Sequence, residues 1–100
     1  MVIYNKAIRD KIPEIIKESG KNCNVKKLDD SEFLVQLEKK LVEELAEYQE
    51  SKNVEELADV LEVIYRISNL KGFDLDKARL GKIEKRGKFE KNLFLVDTSD

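Results

Sequence analysis

The chain has 100 residues and a mass of 11.6 kDa. That length suits a single domain over residues 1–100, since domains commonly run to roughly 100–150 residues. Its 19 Lys and Arg nearly cancel 21 Asp and Glu, for a net charge of -2, so no global field draws it to a nucleic-acid polymer or an anionic membrane. With no His and one Cys, imidazole acid–base chemistry, Ser-His-Asp triads, His-ligated zinc and an internal disulfide are excluded.

Charged residues make up 40% of the chain, yet the apolar residues recur with a helical period, which predicts a folded domain rather than a disordered one. No apolar run approaches the ~20 residues of a membrane span, and residues 1–10 lack a signal-peptide core. The lone Cys23 fits a reducing cytoplasm, where it is expected as a small buried hydrophobe.

In chain order, Pro13 with Ile12, Ile15 and Ile16 predicts a short first helix that Gly20 ends. Residues 23–28 alternate weakly and read as extended. Asp29 to Glu32 forms a capping-box pattern. A second helix follows to about Ser51, with Leu34, Leu37, Leu41, Leu45 and Tyr48 on one face. Asn53 and Glu56 repeat the capping signal for a third helix, which Gly72 stops near Lys71. Asp74 caps a fourth, ending near Gly87. Residues 89–96 read as extended chain able to pair with 23–28. The expected architecture is all-α: a two-helix hairpin with shorter helices around it.

Two acidic clusters stand out, Glu43-Glu44-Leu45-Ala46-Glu47 and Glu55-Glu56-Leu57-Ala58-Asp59. Carboxylates three residues apart share a helix face and can reach one cation. The bland alternative is a solvated face with pairs such as Lys40–Glu44. A projection at about 100° per residue favours the cation. It sets Glu44 beside the apolar stripe with Glu47 a little farther round, and turns Glu43 outward to solvent. Two faces of the third helix are apolar: Leu57, Leu61, Ile64 and Tyr65 on one, Val60, Val63, Ile67 and Leu70 on the other. Glu56 and Asp59 fall on the second, where bare charge is costly. Carboxylates without imidazole or thiolate favour Mg²⁺, with Mn²⁺ as substitute, and so phosphoanhydride hydrolysis.

With EExxE at Glu43–Glu47 and ExxD at Glu56–Asp59, the chain resembles the all-α nucleoside triphosphate pyrophosphohydrolase superfamily, the MazG-like proteins. The opening Tyr4-Asn5-Lys6-Ala7-Ile8-Arg9-Asp10-Lys11-Ile12-Pro13 and the closing Lys85-Arg86-Gly87-Lys88-Phe89-Glu90-Lys91 are similar to a phosphoribosyl-ATP-pyrophosphohydrolase-like branch. The resemblance implies a MazG-like helical bundle and Mg²⁺ ligands at Glu44, Glu47, Glu56 and Asp59. It also implies cleavage of a nucleoside triphosphate between the α- and β-phosphates, and assembly into dimers or larger oligomers.

Lys6, Arg9, Lys85 and Arg86 fall inside the two terminal motifs and are the candidate phosphate-binding residues, against a reading as solubility charge at helix ends. Tyr4 and Asn5 are weaker candidates for base or ribose. Tyr48, Tyr65, Phe33 and Phe73 fall at core spacing. A third helix apolar on two sides predicts a homo-oligomer, most simply a dimer. The leading function is nucleotide house-cleaning or metabolism; the alternatives are phosphoribosyl-ATP hydrolysis in histidine biosynthesis and a non-catalytic helical adaptor.

Overall fold

Three side-chain caps set where the helices begin. In the computed structural model, which describes residues 1–99, Asp29 accepts the Glu32 backbone N–H at 2.8 Å, Asn53 that of Glu56 at 3.1 Å, and Asp74 that of Lys77 at 3.0 Å. Each satisfies a donor that the first helical turn leaves unpaired. The helices are α1 (Ile12–Glu18), α2 (Asp30–Ser51), α3 (Val54–Leu70) and α4 (Leu75–Arg86), within a residue or two of the boundaries read from sequence. None is long and apolar enough to cross a membrane.

Only Lys52 and Asn53 separate α2 from α3. Lys52 takes the left-handed conformation (φ 60°) and donates its N–H to the Tyr48 carbonyl at 2.8 Å. This C-cap turns the chain at once, so α2 and α3 pack as an antiparallel hairpin. At the far end of α3, Gly72 (φ 67°) permits the Phe73 N–H to reach the Ser68 carbonyl at 3.0 Å. The buried Ser68 hydroxyl donates to the Phe73 carbonyl at 3.2 Å, so neither end of this turn hides an unmet polar group.

The core is small. Leu37 of α2 and Val63 of α3 enclose Ala7 from the N-terminal segment, with Phe33, Leu41, Ile67 and Leu70 packed around them. The face of α3 carrying Val60 and Val63 is therefore the inner one. Its other apolar face lies at the surface, with Leu57, Leu61 and Tyr65 44–49% exposed. Leu45 and Phe73, expected in the core, are exposed too. Leu45 is absent from the cluster that Leu37 and Leu41 join, and Phe73 follows the Gly72 turn.

Residues 23–28 and 89–96 lie outside the helices, but no strand forms among the described residues and the two segments do not pair. A lone two-stranded ribbon needs a layer to pack against. Here Val25, Phe89, Leu93, Phe94, Leu95 and Val96 all stand open to solvent. Cys23, expected to be buried, is exposed with this segment.

The chain is long and open, 62 × 31 × 22 Å with a radius of gyration of 18.2 Å. A compact chain of this length has a radius near 13 Å. Its accessible surface is 9461 Å², where a compact monomer of this mass exposes about 5,800 Å².

Candidate metal centre

The tight α2–α3 turn sets the C-terminal half of α2 against the first turns of α3. Glu44 thereby meets Glu56 and Asp59, and one carboxylate oxygen from each lies within 4.8 Å of the others. Three of the four ligands expected from sequence converge. Glu47 is not in this trio; it is exposed, one turn along α2, and acts on the centre through Glu44, whose carboxyl, raised chiefly by burial, it pushes up a little further.

Glu44 is the unusual member, only 5% exposed. Its Oε1 is paired with Lys40 Nζ at 3.2 Å, but its Oε2 is buried with no hydrogen-bond partner. Burial pushes the Glu44 carboxyl above its ordinary range, and Glu47 adds to this while Lys40 opposes it. An unpaired buried carboxylate oxygen costs free energy, and a cation at the trio would relieve that cost. The three carboxylates fit a hard divalent ion such as Mg²⁺ or Mn²⁺. Lys40–Glu44 is an ordinary i,i+4 pair in sequence; its burial is what the sequence does not reveal.

The N-terminal segment straps the hairpin across this site. Ala7 is inserted in the core, and the cations on either side reach one helix each. Lys6 Nζ lies 3.4 Å from Glu43 Oε1 on α2, and Arg9 Nη2 lies 2.7 Å from Asp59 Oδ1 on α3. Glu43, expected to be solvated, is half-buried beside Lys6. Asn5 adopts positive φ (45°), which turns the strap, and Lys6 Nζ sits 5.6 Å from the centroid of the exposed Tyr4 ring. Sequence periodicity has no access to this crossing, because the strap is irregular and its contacts are 37 and 50 residues away.

Lys85 and Arg86 occupy the last turn of α4 and are exposed. Among the described residues neither pairs with the carboxylates, so of the four candidate phosphate ligands the chain brings only Lys6 and Arg9 to the site. Glu55 and Glu62 face solvent, as the helical projection predicts.

The chain matches no protein-family model, no curated protein and no solved structure.

Proposed function

We propose that the protein is a Mg²⁺-dependent nucleotide pyrophosphohydrolase that cleaves the α–β phosphoanhydride of a nucleoside triphosphate to monophosphate and pyrophosphate. One observation carries the reading. Glu44, Glu56 and Asp59 each bring one carboxylate oxygen within 4.8 Å of the others, and Glu44 has a buried oxygen with no hydrogen-bond partner. These three residues hold the cation, with Glu47 alongside as the fourth carboxylate. When bound, Mg²⁺ supplies charge neutralisation at the phosphoryl oxygens and acidifies an attacking water.

The chain's own residues do the rest. Glu44, sealed between α2 and α3, keeps bulk water from one side of the centre. Lys40 holds the Glu44 carboxylate in place. Lys6 and Arg9 bring two cations to the rim, where phosphate oxygens are gripped. No Gly-rich loop with Lys-Ser/Thr is present in the sequence, so the commonest cradle for β- and γ-phosphates is missing, which supports attack at the α–β linkage.

In this proposal the working unit is a homo-oligomer, most simply a two-fold dimer. The surface exceeds that of a compact monomer by about 3,600 Å², whereas a standard interface takes only about 800 Å² per partner. A second copy packed on Leu57, Leu61 and Tyr65 would cover the open face of α3. Lys85 and Arg86 would then serve the pyrophosphate end from α4 of either copy.

A panel of nucleotides, phosphoribosyl-ATP included, assayed with Mg²⁺ in ¹⁸O-water tests the reaction. Pyrophosphate as the primary product, with label in the monophosphate or the pyrophosphate, is the expected result. Orthophosphate as the primary product, or no turnover of any nucleotide, refutes it.

A further inference from the structure

Arg9 lies on Asp59, one of the three convergent carboxylates, whereas its neighbour in the strap, Lys6, lies on Glu43, outside the trio. We propose that Arg9 is an exchange residue. It neutralises Asp59 while no cation is bound, gives up that carboxylate when a divalent cation takes it, and turns its guanidinium to the phosphate groups of the incoming ligand. This rests on the reading of the trio as a cation site and adds to it a coupling between cation and anion.

The geometry fits such a trade. Arg9 and a divalent ion compete for the same carboxylate, and a guanidinium 2.7 Å from Asp59 Oδ1 repels a second positive charge there. The pair is easily given up, because the Arg9 side chain is 53% exposed and pairs in contact with water are weak. The backbone stays in place during the exchange, since Ala7, two residues earlier, is fixed between Leu37 and Val63. Only the side chain has to move. Once free, its planar fork presents paired donors to phosphate oxygens held at the same cation, a geometry that Lys cannot reproduce. Cation and phosphate then strengthen each other's binding by the same factor.

Titration with Mn²⁺ alone, followed by methylenediphosphonate on the Mn²⁺-saturated protein, reads both halves of the exchange without turnover. Arg9→Gln is expected to tighten Mn²⁺ alone roughly three- to tenfold and to weaken methylenediphosphonate about tenfold. Arg9→Lys, which keeps the charge and loses the fork, should leave Mn²⁺ near the wild-type value and still weaken the diphosphonate. Lys6→Gln removes an equal charge from the same strap and should change Mn²⁺ affinity less than about twofold. Unchanged Mn²⁺ affinity in Arg9→Gln, or an equal gain in Lys6→Gln, overturns the exchange while leaving the carboxylate site standing. Failure of Mn²⁺ to bind both wild type and Arg9→Gln overturns the exchange and the cation site together.

Discussion

Lys40 reaches one oxygen of Glu44 across a single helical turn and leaves the other sealed without a partner. The pair is thus half-compensated. It holds the carboxylate in position but does not satisfy it, which is the feature the proposed cation site rests on.

The first prediction concerns pH. Burial raises the Glu44 carboxyl above its ordinary value of 4.5, so the folded cation-free chain binds this proton more tightly than the unfolded chain does. The contribution of Glu44 to stability is therefore most favourable below the ordinary value and declines as pH rises through the raised one. Cation affinity runs the other way, falling as Glu44 becomes protonated on acidification. Mn²⁺ titrations across the acidic range should show the loss beginning above pH 4.5, and Glu44→Gln should remove that step with most of the affinity.

Ligand removal gives the second. Glu56→Gln and Asp59→Asn keep size and hydrogen bonding while deleting charge, and each should cost about tenfold to a hundredfold in Mn²⁺ affinity. Nucleotide turnover should fall with it. Glu55→Gln and Glu62→Gln, on the solvated strip, should change neither. Equal effects from both sets would indicate a diffuse acidic surface of the kind an adaptor uses.

The α2–α3 turn supplies a third, which links stability to the site. Lys52 pays for a left-handed backbone that glycine adopts freely, so Lys52→Gly should stabilise the chain by about 1 kcal/mol. Asn53→Ala removes the cap on the Glu56 N–H and should destabilise it by about 1 kcal/mol. Because that cap orders the turn carrying Glu56, it should also weaken Mn²⁺ binding. Chemical denaturation and Mn²⁺ titration of the two variants check both.

Assembly yields the fourth. Leu57→Lys and Leu61→Lys place charge on the outer face of α3, where the single chain loses little because both side chains are already about half exposed. They should retain helicity by circular dichroism and, on the proposed dimer, give a monomer by light scattering where the wild type gives a dimer. A wild-type monomer at micromolar concentration would count against the oligomer.

The helices were legible because α2, α3 and α4 start at polar caps, α1 carries Pro13 in its first turn, and each stop has a Gly or a left-handed residue at or just past it. Asp29, Asn53 and Asp74 mark the starts of α2, α3 and α4 within one residue. The inward placement of Glu44, Glu56 and Asp59 followed from the 3.6-residue period, since both acidic pairs sit beside apolar neighbours. Three things were hidden. The burial of Ala7 depends on an irregular segment with no period to read. The Arg9–Asp59 and Lys6–Glu43 pairs depend on where that segment crosses the hairpin. The open positions of Cys23, Phe73 and residues 89–96 reflect how little of the remaining chain packs on the hairpin, which residue type does not disclose.

The strap also sets an order of events in time. The hairpin joins neighbours in sequence through a two-residue turn, so its contacts close cheaply and early. Arg9 must find Asp59 across 50 positions, and the loop it closes is long and carries the unpaired segment before α2. The carboxylates should therefore be brought together first and covered afterwards. In the native protein the same hierarchy runs backwards: backbone amides around Ala7 should exchange with solvent well before those of the α2–α3 hairpin, and the cover over the site opens without the site coming apart.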